Sequence, residues 1–135
     1  MQLNDILSGV EDQERGRWFP LLHPVTGEAT AVVLLVAGPD SRVQANAMVA
    51  MTDELAELAD LEGRVSGKDR AEVHRRFLAR CVLDWKATEA GEPIPFKFDR
   101  MMRLLGVAWV KAQADAFAGN RAVYYFPEVQ ADAAA

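Results

Sequence analysis

Apolar residues follow two rhythms along this chain. Between Arg17 and Ala37 they form two short runs about a polar turn; beyond Ser41 they recur every three or four residues. The first run, RWFPLL, holds Trp18, Phe19, Leu21 and Leu22 around Pro20. The second, ATAVVLLV, is rich in Val and Leu and has strand length. Pro24-Val-Thr-Gly-Glu28 supplies turn chemistry, with Gly27 free to take a positive φ. Residues 17–37 therefore read as a β-hairpin. Proline removes a ladder donor, so the first strand is expected to be an edge strand or bulged.

Helical spacing follows. Val43, Ala47, Ala50, Met51, Leu55, Leu58 and Leu61 mark an apolar stripe on a helix of about 41–62, with Asp53, Glu54, Glu57, Asp60 and Glu62 outside it and Gly63 to end it. A second helix is expected over about 68–90. There Val73, Phe77, Cys81 and Trp85 step by four, and Gly91 and Pro93 close it. Asp99 then caps a third, about 100–118, on Met101, Leu104, Leu105, Ala108, Trp109, Ala112 and Phe117, stopped by Gly119-Asn120. Residues 1–16 read as an arm or short helix and 127–135 as a flexible tail. The fold class is α+β: an N-terminal β-hairpin followed by a mainly helical domain of about three helices, in one domain over 17–126.

The junction AGPDS, residues 37–41, admits two readings. A phosphate loop needs Gly-x-x-x-x-Gly-Lys-Ser/Thr or Gly-x-Gly-x-x-Gly. This stretch has one glycine and no lysine, and Pro39 lacks the N–H that a phosphate would use. The other reading accounts for every residue. Gly38 and Pro39 end the strand, and Ser41-Arg-Val-Gln44 matches a capping box in which Gln44 reaches back to the cap.

Charge and composition narrow the picture. The net charge of -5 over 135 residues disfavours general nucleic-acid binding. One cysteine makes no intrachain disulfide and suits a reducing compartment. The N-terminus is acidic and unlike a secretory signal, and the longest apolar run falls short of the roughly 20 residues of a spanning helix. Cys81 and His74, seven residues apart, are separated by about 10 Å on a helix, beyond the hydrogen-bond reach of a catalytic pair. Two histidines and one cysteine lack zinc spacing, and no calcium loop is present. No catalytic residue, metal or cofactor is expected, and the protein is read as not an enzyme.

Two features remain. The basic stretch Arg64 to Arg80 either contacts nucleic acid or pairs with the acidic helix before it, and pairing is favoured. Phe96, Phe98, Tyr124, Tyr125 and Phe126 lie in loop or tail segments beside proline or glycine. They either complete the core or form a protein-binding patch together with Trp109.

The order of these pieces resembles the small tail-assembly chaperones of long-tailed, mostly non-contractile bacteriophages and prophages. The likeness rests on the Pro-x-Thr-Gly-Glu turn and the Gly-x-Asp-Ser helix start. It continues through the tryptophan helix near GEPIPF and the last helix running into YYF, over residues 16–126. Asp99-Arg100 departs from a Glu-Asn-like helix start. The resemblance implies a binding protein of the host bacterial cytoplasm that coats the long helical tape-measure protein until the tail-tube protein polymerises around it. It also implies contact with a frameshifted longer form of the chain itself. Partner binding is then expected at Phe96, Phe98, Trp109, Tyr124, Tyr125 and Phe126. The alternative is a structural virion component, a head-tail completion or minor tail protein.

Overall fold

The computed structural model describes residues 1–125, so Phe126 and the tail 127–135 lie outside the described residues. β1 (Arg17–Leu22) and β2 (Ala29–Val36) form the expected antiparallel hairpin. Gly27 takes φ 75 in its turn. His23 organises that turn: its Nδ1 accepts hydrogen bonds from Val25 N at 3.1 Å and Thr26 N at 3.2 Å. Pro20 has both expected consequences, since β1 is the sheet edge and its register shifts between Pro20 and Leu22. Past that shift, the Gln113 side-chain amide exchanges two 2.8 Å hydrogen bonds with the Leu22 backbone. It stands where a neighbouring peptide would.

The second expected helix is too long. α3 (Gly67–Cys81) stops at Cys81, and Val82–Lys86 is a strand, β3, joined to it without a loop. β3 pairs antiparallel with β2, giving the sheet order β1-β2-β3. The physical reason is β2 itself. Leu34 and Val36 are buried, so a bare second edge would leave buried backbone groups unpaired. The four-residue step Phe77–Cys81–Trp85 suits a helix, but Val-Leu-Asp-Trp-Lys also carries strand formers, and a short run does not distinguish the two. Gly91 and Pro93 belong to a small hairpin, β4 (Thr88–Glu89) and β5 (Glu92–Pro93). Ala90 (φ 52) and Gly91 (φ 82) form its two-residue turn, with positive φ at both positions as a type I′ turn requires.

Among the described residues the helices number five and a final turn, where the sequence pattern gives about three: α1 (Leu3–Arg15), α2 (Arg42–Leu58), α3, α4 (Phe98–Leu104), α5 (Ala108–Ala118) and the turn α6 (Ala122–Tyr125). α2 ends four residues before the expected 62. The Asp60 carboxylate accepts from Glu62 N and Arg64 N, folding a turn that leaves Leu61 fully exposed. α4 begins at Phe98 with Lys97 before it, so Asp99 lies in the first turn and is not the cap. The expected 100–118 helix is broken at Gly106. Gly106 N and Val107 N donate to the carbonyls three residues back, Arg103 O and Leu104 O, and close α4. The break shifts the buried stripe. Met101 and Leu105 face the core before it; Val110, Ala114 and Ala118 do so after it, while Ala108, Trp109 and Ala112 turn outward.

The core gathers Leu21, Leu34 and Val36 of the sheet with Leu78, Met101 and Leu105 of the helices. Phe19 stacks on Phe117 at 4.7 Å and fastens β1 to α5. Removing a buried leucine such as Leu34 or Leu78 would cost about 2–5 kcal/mol.

The polar centre is the corner after β2. Ser41 caps α2 as expected, accepting from Gln44 N at 3.1 Å. Gln44 does not complete the capping box. Its buried Nε2 donates to Ala37 O at 2.8 Å and to Ala118 O at 2.7 Å, tying the end of β2 to the end of α5. Gln13 of α1, fully buried, accepts from Asp40 N and donates to Asp40 Oδ2. Arg121 grips the Asp40 carboxylate with two 2.8 Å bonds and holds it below the usual carboxylate range.

Replacing Gln44 by Leu strands two buried carbonyls and should lower stability by about 2–4 kcal/mol, since each unpaired acceptor costs roughly 1–3 kcal/mol. Urea denaturation measures this, and a loss under about 0.5 kcal/mol would mean that water takes over the bridge. Ala90→Asn should act oppositely, raising stability by roughly 0.5–1 kcal/mol by relieving a left-handed alanine. The same titration reads it.

Candidate functional site

The AGPDS corner has no donors to offer a phosphate. Gly38 N donates to Gln13 O, Asp40 N to Gln13 Oε1, Ser41 N to Gly38 O and Arg42 N to Glu14 Oε1. Pro39 has none, and the Asp40 carboxylate would repel an anion. A Cβ on Gly38 would come within 2.4–2.5 Å of the Gln13 side chain, so the glycine serves close packing rather than ligand approach.

Cys81 is fully buried in the core. Burial, with the nearby Asp115 charge adding to it, pushes its thiol up to about 12, far from a thiolate nucleophile at neutral pH. His74 faces elsewhere: its Nε2 lies 3.4 Å from Asp115 Oδ1, across the α3–α5 seam.

The basic stretch is largely consumed within the fold. Glu54 of α2 pairs with Arg76 at 2.9 Å and with Arg80. Burial works against the Glu54 charge, but the two guanidiniums outweigh it and hold its carboxyl below the ordinary range. Arg75 and Arg76 also meet Glu72 on their own helix. For these arginines, pairing with the acidic helix is the observed arrangement.

The aromatic residues singled out from the sequence do not form one patch. Tyr124 is core, 6% exposed, with Arg17 over its ring at 5.4 Å; this corrects its expected place on a binding surface. Tyr125 is half-buried beside it, against Gly9 of α1, where an added Cβ would meet its ring. α1 has no room for a side chain there, and the C-terminal turn docks onto that gap. Phe96 is half-buried and meets Trp85 edge-on, centroids 5.5 Å apart. Phe98 and Trp109 are at the surface, 45% and 36% exposed. Phe126 lies outside the described residues.

Trp85, the ring partner of Phe96, lies in the wall of an open groove of about 490 Å³ that the sequence pattern did not reveal. Trp85 of β3, Ile94 of the proline loop, and Leu104 and Val107 at the α4–α5 break line it, with Arg100 and Arg103 along one side. Each part has a local cause. Trp85 is turned into place by its Nε1, which donates to Ile94 O at 2.8 Å. Arg100 donates to Pro95 O at 2.7 Å and braces the same loop. The break at Gly106 leaves Val107 42% exposed beside Leu104. The signal that could have found the groove was Gly106 inside an otherwise helical run, together with the paired prolines of GEPIPF. Chemically the groove offers apolar contact and cationic hydrogen-bond donors.

Among the described residues no cluster of His, Cys, Asp and Glu could hold a metal ion, and no helix is long and apolar enough to cross a membrane. Comparison with protein-family models, curated proteins and solved structures finds no match to this chain.

The buried Cys81 has a pH signature. Its folded pKa is raised from 9.0 to about 12, so its contribution is full below pH 9 and is lost as pH rises towards 12. Burial raises Tyr124, also to about 12, and adds to the same alkaline loss. Chemical denaturation between pH 8 and about pH 11 should therefore show stability falling with pH, with a shallower slope in Cys81→Ala. An unchanged slope in the variant would place the alkaline sensitivity elsewhere.

Proposed function

We propose that this chain is a phage tail-assembly chaperone, a binding protein that keeps the tape-measure protein soluble while the tail forms. The sequence resemblance supplies the class of partner. The observation that carries the reading is the groove of Trp85, Ile94, Leu104 and Val107, an apolar trough open at the surface with Phe98 and Trp109 exposed on the same α4–α5 segment. A tape-measure chain is long, helical and apolar along one stripe, and aggregates unless that stripe is covered. A groove takes such a helix by its anchors at positions i, i+3 or i+4, and i+7. Each apolar anchor buried contributes about 1.5–3 kcal/mol, so several in register are needed to offset the freedom lost on association. Phe98 and Trp109 remain in the proposed contact surface, and Phe96 supports it from behind Trp85; Tyr124 does not belong to it.

Co-expressed with a phage tape-measure protein, this chain should keep that protein in the soluble fraction and co-elute with it. Val107→Asp, which places a charge on an exposed groove residue, should abolish both effects while leaving the thermal unfolding midpoint nearly unchanged. Precipitation of the tape-measure protein with or without this chain would overturn the proposal.

A further inference from the structure

The α4–α5 break separates two hollows, and both carry positive charge. On one side is the groove with Arg100 and Arg103, facing a single carboxylate, Glu89. On the other is a hollow of about 360 Å³ beside Gly106 and Ala108, lined by Lys68, Arg75 and Lys111 with Glu72 as its acid. The two linings together hold five cations and two carboxylates, a local balance of +3 on a chain whose net charge is -5.

Some cations of the middle of the chain are ion-paired within the fold: Arg75, Arg76 and Arg80 with Glu72 and Glu54. Among the described residues, no ion pair reaches Lys68, Arg100, Arg103 or Lys111. Arg100 and Lys111 make only backbone contacts, to Pro95 O and Ala71 O. Arg100 and Arg103 in the apolar trough, and Lys68 and Lys111 in the hollow across the break, thus form no ion pair among the described residues and leave charge for a partner to complement.

We propose that this corner selects an amphipathic helix of the partner protein whose apolar stripe is bordered by Asp and Glu. The stripe enters between Trp85, Ile94, Leu104 and Val107, and the acidic border meets Arg100 and Arg103 in that groove and continues across the break to Lys68 and Lys111 of the second hollow. The charges set which segment is accepted and how fast it arrives, and the apolar floor holds it. This rests on the chaperone reading for the partner's identity, and it specifies which stretches of a long helical partner are covered. The overall charge of the chain opposes the selection: a protein at -5 attracts a basic helix at long range, so a preference for the acidic one has to come from this corner.

The test uses two synthetic helical peptides with one Leu/Val stripe, bordered by Glu in the first and by Lys in the second, titrated against the full chain by fluorescence anisotropy. The Glu-bordered peptide should bind about 10-fold tighter at low salt. That preference should vanish near 1 M salt, where the screening length shrinks to about 3 Å. Arg103→Glu with Lys68→Glu, both exposed and outside the core, should reverse the preference while circular dichroism stays unchanged. Equal affinities, no binding of either peptide, or a preference untouched by the double variant would overturn the proposal. So would a short DNA duplex that binds in place of the peptide and is lost in the same variant. The two readings fail separately. Soluble tape-measure protein without peptide preference removes the charge selection alone, whereas peptide preference without tape-measure solubility removes the partner's identity alone.

Discussion

The Gln44 side-chain amide joins parts of this fold that lie far apart in sequence. Two buried carbonyls, at the end of β2 and at the end of α5, would otherwise face the interior unpaired, and one Nε2 satisfies both. Around that bridge, Ser41 starts α2, Gln13 fixes α1 over Gly38, and Arg121 holds Asp40 from the far end of the chain. Each contact alone is modest, about 1 kcal/mol for a neutral hydrogen bond. Their placement matters more. The corner connects the sheet to both ends of the helical layer, so loss of the amide loosens three elements together.

Much of this was legible from local chemistry and some was not. The hairpin, its Gly27 turn, the edge position of β1 and the Ser41 cap follow from residues within a few positions of one another, where steric and hydrogen-bond rules act directly. The third strand depends on β2's second edge, a demand arising from residues 33–36 and met by 82–86. No local pattern at Val82–Lys86 contains that information, and the apolar step through Trp85 suggested a helix. Gln44 makes the same point in miniature. Its position in a capping box was visible, yet its side chain turned to a carbonyl of Ala118 that only the folded chain brings near.

The candidate site was partly visible for a related reason. Phe98 could be picked out as an aromatic residue near prolines, and Trp109, though read on the apolar stripe of the 100–118 helix, was also named for the surface; both are exposed. Tyr124 had the same local character and lies in the core, because α6 folds back against β2 and α1. Burial of an aromatic residue is decided by what packs over it, and sequence neighbours do not reveal that. Leu104 read as a core position of an unbroken helix, and Val107 lay off its apolar stripe. One glycine shifted the stripe and placed them at a groove.

That shift also bears on why the proposed binding surface lies where it does. A continuous 100–118 helix would carry one apolar face from end to end, all of it committed to the core. Breaking it at Gly106 lets Met101 and Leu105 pack inward before the break and Val110 and Ala114 after it, so the core loses little. Val107 and Trp109 are left as exposed apolar surface, and Val107 shares its groove with Arg100 and Arg103, which no ion pair among the described residues reaches. Elsewhere the arginines are held by Glu54 and Glu72, and polar groups of the Asp40 corner are bonded within the fold. Exposed apolar area and an excess of cations over carboxylates thus coincide at one helix break, the combination on which the proposed partner contact rests.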